Sequence, residues 1–303
     1  MKTSQSVVLL TCSIARDIDL FELLAASVDR HVDRDVIHRV VVPSADLSVF
    51  KRFQNARREI IAQEDILPVR VWKAPRALRH LAFLRAGFRR PVYVAPGPKI
   101  VRGWMLQQFL KIEMARRAEE EAMIHVDSDV AFFRRFSASD GFIDGKPRYF
   151  RALGETRNPM HKAWVDSSCA FVGIDPPDLH RAHYIENCVM WSTHVSRALV
   201  ERIESHQGKP LHEAIFSAST MSEYYLYGVF ADLFHQDSQL ATEDVSFCNS
   251  YWPSNETDPV DFDVFVNRLK DKHCAVAVQS THVLDIKDRE AIYARAEAEL
   301  SRV

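Results

Sequence analysis

Ile124-His125-Val126-Asp127-Ser128-Asp129-Val130 is the stretch on which the reading of this chain turns. An apolar, strand-sized run, Ala122 to Val126, ends in two carboxylates one residue apart, and apolar Val130-Ala131-Phe132-Phe133 follows. A buried strand therefore delivers a charged turn, and in parallel sheets ligands sit beyond the carboxyl ends of the strands. Carboxylate oxygens there suit a hard divalent cation, Mn²⁺ or Mg²⁺, which can also hold the phosphates of a nucleotide. The triplet alone is unspecific, because Asp17 with Asp19, Asp33 with Asp35 and Asp261 with Asp263 repeat it and read as caps or solvated turns. Only Asp127 and Asp129 lie between a strand and a second apolar run.

Working outward, Trp104 to Glu121 is rich in Leu, Met, Ala, Glu and Arg and predicts the long helix that feeds this strand. Val7 to Cys12 reads as a first strand, Leu20 to Val32 as a helix, His38 to Val42 as a strand, Val49 to Ile61 as helical and Leu67 to Trp72 as a strand. Such alternation predicts βαβ units, and so an α/β fold with a Rossmann-like, mostly parallel sheet flanked by helices. The second half is expected to be mixed. Arg148 to Leu153 and Ser168 to Gly173 read as strands, Val189 to Glu204 and Met221 to Phe234 as helices, Ala275 to Val278 as a strand and Arg289 to Arg302 as a terminal helix. No composition shift marks a boundary within the 303 residues, so a single domain 1–303 is expected.

Thirty-nine Lys and Arg stand against 41 Asp and Glu, which makes nucleic acid a weak expectation. No apolar stretch reaches the roughly 20 residues that cross a bilayer, and the short apolar start reads as a strand rather than a secretion signal. Five cysteines without a C-x-x-C pair suit reduced thiols and a cytoplasmic setting. Structural zinc and serine or cysteine hydrolysis find no pattern: Cys and His do not cluster, and no G-x-S-x-G occurs. From Arg70 to Arg102 basic residues occur with no acidic one between them, among them Lys73, Arg76, Arg79, Arg85, Arg89, Arg90 and Lys99. With Leu78, Leu81, Phe83, Leu84 and Phe88 interleaved, segment 70–102 is expected either to touch anionic lipid or to be a solvated basic face.

At the start of the long helix, Gln107, Gln108 and Lys111 fall within one turn, so an amide and an ammonium can reach one ligand, although from the residues alone a solvated helix face is the preferred reading. W-x-x-Q-Q-x-x-K over Trp104 to Lys111, followed by a strand ending D-S-D-V-x-F-F, resembles bacterial GT-A-type glycosyltransferases of surface-polysaccharide synthesis. Thr11-Cys12-Ser13 with Asp17, Val42-Pro43-Ser44-Ala45-Asp46 and Ser222-Glu223-Tyr224-Tyr225-Leu226-Tyr227-Gly228 extend the resemblance over most of the chain. It implies a GT-A-like fold, a nucleotide-sugar donor and metal-assisted transfer to a glycan or lipid-linked saccharide acceptor, in the cytoplasm or at the inner face of the membrane. Residues 1–136 would form the donor half and 137–303 the acceptor half.

Carried onto this sequence, the resemblance makes Asp127 and Asp129 the pair whose Mn²⁺ or Mg²⁺ bridges the donor diphosphate. Thr11, Ser13, Arg16 and Asp17 would hold the nucleotide, with Gln107, Gln108 and Lys111 beside it, and His282 would be a further metal ligand. If configuration is inverted, a carboxylate must take the acceptor's proton. Glu223, at a helix start behind Ser222, is the expected base, and Asp166 is the alternative base or an acceptor ligand. Trp164 and Tyr224 are expected to meet the acceptor sugar. A metal-dependent nucleotidyltransferase or phosphohydrolase would use the same aspartates, and a non-catalytic module would use them as a metal clip.

Overall fold

The computed structural model describes residues 5–74, 92–97, 99–154, 159–234, 239–252 and 260–300. Val7–Cys12 (β1) is apolar at almost every position because both its faces are covered. Val8 and Leu10 enter one core with Met105 and Phe109, while Val7 and Leu9 enter another with Phe21 and Val28. Phe21 and Val28 lie on Ile18–His31 (α1), whose apolar stripe closes that second face. Beside β1 run Ile37–Val42 (β2) and then Arg58–Ala62 (β3), all parallel.

On the other side of β1, Gly103–Arg117 (α2) leads into Ala122–Val126 (β4), parallel to β1 and buried throughout. Val130–Phe132 (β5) then leaves this sheet. Pro159–Val172 (α3) precedes Cys188–Ser192 (β6), which pairs antiparallel with β4 and gives the order β6-β4-β1-β2-β3. Ser192 caps Thr193–Gln207 (α4), its hydroxyl accepting from the Val195 amide at 3.4 Å, and Gly208 ends that helix at φ +62°. Glu223–Phe234 (α5) packs on α3. Cys248–Tyr251 (β7) and Ala275–Val278 (β8) are parallel to each other, and β5 pairs antiparallel with β8. Asp127-Ser128-Asp129 is thus the point where the chain crosses from the main sheet to a second one.

The expected α/β architecture is present, a mostly parallel central sheet flanked by helices, but several local expectations are corrected. The third parallel strand, Arg58–Ala62, begins inside the stretch read as helical; only the end of Leu47–Phe50 and a 3₁₀ turn over Lys51–Phe53 are helical there. Of Leu67 to Trp72, only Trp72 begins a short strand, Trp72–Lys73. Ser168 to Gly173 closes α3 instead of forming a strand, because a short apolar run carries no period that separates helix from strand. Val189 to Ser192 is strand before its helix begins. Of the basic stretch, Arg76, Arg79, Arg85, Arg89 and Arg90 lie outside the described residues. Among the described residues, no helix is long and apolar enough to cross a membrane.

Candidate active site

Lys111 sits on the face of α2 turned into the core, 3% exposed, where a lone ammonium is costly. Three groups meet it. Its Nζ donates to Asp127 Oδ1 at 3.0 Å and to the Tyr224 hydroxyl at 2.8 Å, and it lies 3.3 Å from Glu223 Oε1. Asp127 comes from the end of β4 and the other two from the start of α5, so a single cation joins the first half of the chain to the second. Burial disfavours the charge, but Asp127, Tyr224 and Glu223 outweigh it and hold Lys111 well above the ordinary lysine range. Burial raises Glu223 despite the attraction of Lys111.

Asp129 projects from the same turn into a different environment. Its Oδ2 accepts from the Ser280 amide at 2.6 Å, and its carbonyl accepts from the Tyr293 hydroxyl at 3.1 Å. Its Oδ1 is buried with no hydrogen-bond partner. Burial, and then the neighbouring Asp127 carboxylate, push Asp129 up to about 7. A divalent cation would relieve both, so the carboxylate pair fits one. Among the described residues, no group of three or more His, Cys, Asp or Glu side chains is arranged to hold an ion. Oxygens for an ion at Asp127 and Asp129 would therefore have to come partly from its ligand, as they do for Mg²⁺ held between carboxylates and phosphates.

The other expected residues fall into two groups. Ser13 is buried at the mouth of β1, with its hydroxyl 2.9 Å from that of Ser128. His282 is buried on the loop after β8, the loop whose Ser280 amide binds Asp129. Gln108 is fully buried on α2, and neither its amide nitrogen nor its amide oxygen has a partner. Ser13 and the loop that carries His282 thus lie against the Asp127-Ser128-Asp129 turn, and Gln108 precedes Lys111 by three residues on α2.

Thr11 is placed differently. Arg58 Nε donates to His38 Nδ1 at 3.2 Å, and burial, then Arg58, keep His38 well below its ordinary pKa, so the imidazole is neutral. Its remaining proton lies on Nε2 and faces Thr11 Oγ1 at 3.0 Å, which fixes that fully buried hydroxyl within the fold. Arg16 is exposed and bridges its neighbour Asp17 at 3.1 Å. Gln107 is half-buried. Asp166, on α3, is paired with Lys162 at 2.6 Å and is not among the groups bonded to Lys111. Tyr224 is buried, with its ring edge-on to Trp191, and Trp164 is half-buried against Trp104.

Two groups were missed from the sequence. Glu186 directly precedes Asn187, whose carbonyl accepts from the Asp127 amide at 3.0 Å, so it stands beside the carboxylate turn. Burial pushes it up to about 7, and its Oε2 has no partner. An acid just before the apolar run Cys188–Ser192 is the signal, concealed by reading that run as helix. His125, on β4, is fully buried with both ring nitrogens unpartnered, and burial, then Lys111, keep it neutral.

Fold and site together define an α/β protein with a buried ion cluster at the carboxyl edge of its parallel strands. A family of unknown function, DUF6492, matches residues 3–292, and the chain belongs to it. No curated protein matches. Among solved structures, a crystal structure of an active-site mutant of LgtC is similar over 95% of each chain, at 10% identity and a TM-score of 0.46.

Proposed function

We propose that this protein is a glycosyltransferase that moves a sugar from a nucleotide-sugar donor to a saccharide acceptor with the help of a divalent cation. The observation that carries the reading is the convergence on Lys111 of Asp127, Glu223 and Tyr224 beside Asp129, where a parallel α/β sheet presents its ligands. Residues 1–136 form the donor half, and 137–303 supply the acceptor side with Glu223 and Tyr224. A bound cation would neutralise charge on the leaving diphosphate, with Asp127 and Asp129 holding it. Lys111 would stabilise the same negative charge while keeping Glu223 oriented.

In an inverting transfer, Glu223 accepts the proton of the attacking hydroxyl, and its burial makes it a stronger base than an exposed glutamate. Asp166 takes that role if Glu223 does not. The bacterial polysaccharide setting follows from the motifs. The test is a thermal-shift screen with nucleoside diphosphates and nucleotide sugars, each with and without Mn²⁺, followed by product analysis. Stabilisation that needs nucleotide and metal together, with sugar appearing on an acceptor, supports the reading. Release of phosphate or nucleotidyl product without sugar transfer replaces it with a phosphohydrolase or nucleotidyltransferase on the same aspartates.

A further inference from the structure

Tyr225 follows Tyr224 in α5 but points elsewhere. Where Tyr224 meets Lys111, Tyr225 is fully buried in a cluster of rings supplied by α3 and the segment before β6. Its centroid lies 5.4 Å from His161, 5.6 Å from Trp164 and 6.2 Å from His183. His161 stacks on Trp164 at 5.4 Å and meets His183 edge-on at 5.3 Å, and Trp104 packs against Trp164 at 5.9 Å.

The polar atoms of this cluster are unusual. Tyr225 Oη, Trp164 Nε1 and His161 Nδ1 are all buried with no hydrogen-bond partner. Buried polar groups are ordinarily paired, so three together mark a place where pairing is left to something else. They are also uncharged. Burial lowers the pKa of His161, and burial, then His161, bring His183 to about 4, so both imidazoles are neutral near pH 7. A hydroxyl, an indole N–H and neutral imidazoles offer donors and acceptors with no net charge, set among aromatic faces. That set complements a ligand with ring hydroxyls and an apolar ring face.

We infer that His161, Trp164, His183 and Tyr225 form a subsite for an uncharged sugar ring, one residue along α5 from the ion cluster. That this sugar is the acceptor rests on the transferase reading; that the cluster binds a neutral saccharide does not.

The test uses the full chain and methyl glucoside, galactoside and mannoside as probes, with binding followed by saturation-transfer NMR without nucleotide or metal. At least one glycoside is expected to bind saturably. Tyr225→Phe, which keeps the ring and deletes one polar atom, is expected to weaken it by about tenfold, the size of one hydrogen bond, and Trp164→Phe, which removes the indole N–H together with part of the ring, by at least as much. Tyr225→Phe is also expected to leave the melting temperature unchanged or raise it, because the hydroxyl it removes is unpaired in the fold. Three results overturn the subsite: no glycoside binds, both variants bind as the parent does, or Tyr225→Phe lowers the melting temperature with affinity intact. A nucleoside diphosphate shift with Mn²⁺, measured in parallel, separates the two readings. A shift without glycoside binding removes only the subsite; glycoside binding without a shift supports the subsite and removes the transferase.

Discussion

The ammonium of Lys111 lies 3.0 Å from Asp127 Oδ1, so one carboxylate of the D-x-D turn is already ion-paired while the other, Asp129, keeps an unpartnered oxygen. The two aspartates are therefore not equivalent. Asp127 ties β4 to Lys111 on α2, which in turn reaches α5, and one oxygen of Asp129 has no partner in the protein.

Lys111→Met should be the most damaging single change in the site. It leaves Asp127 and Glu223 without their shared cation, and stranding a buried charge costs about 3 to 5 kcal/mol. Glu223→Gln should cost less, since Asp127 still balances Lys111. Urea unfolding of both variants checks the order; a Lys111→Met protein as stable as the parent would contradict the cluster's role.

Asp129→Asn should act in the opposite direction on the ligand-free protein. A carboxyl raised to about 7 in the fold, against an ordinary value of 3.8, makes the folded state bind more protons between those values. Its contribution to stability therefore falls as pH rises from about 4 to 7, and removing the charge should restore about 1 to 3 kcal/mol at pH 8. The same variant should lose any Mn²⁺-dependent rise in melting temperature, as differential scanning fluorimetry will read.

Glu186→Gln supplies a second pH test, at a carboxyl beside the same turn. Glu186 is likewise raised, from 4.5 to about 7. In the parent its contribution is largest at low pH and declines between about pH 4.5 and 7, and the variant should flatten that decline by roughly 2 kcal/mol. Chemical denaturation across this range decides it, since an unchanged slope would place the carboxyl in water.

Gly228→Ala tests the packing that positions α5. A Cβ there would lie 2.3 Å from Tyr184 Cγ, against a ring already fixed by a 2.7 Å hydrogen bond to Asp232. Overpacking of this kind costs about 1 to 3 kcal/mol. Because α5 carries Glu223 and Tyr224, a fall in turnover larger than the fall in stability is expected, measured as kcat beside the urea midpoint.

The sequence by itself determined the strand and helix alternation around β1, α1, β2, α2 and β4, because strands buried on both faces must be continuously apolar and their crossover helices must carry a stripe. It also determined that two carboxylates end β4. It did not separate helix from strand at Ser168 to Gly173, or find the start of β3 within Val49 to Ile61, because short apolar runs fit either period. Only the tertiary structure decided which charges meet: Lys111 and Glu223 lie far apart along the chain, and no local spacing brings them to 3.3 Å. Burial likewise set the neutral state of His38, His125 and His183 and raised Asp129 and Glu186, since desolvation belongs to the assembled surroundings of a side chain and not to its neighbours in sequence.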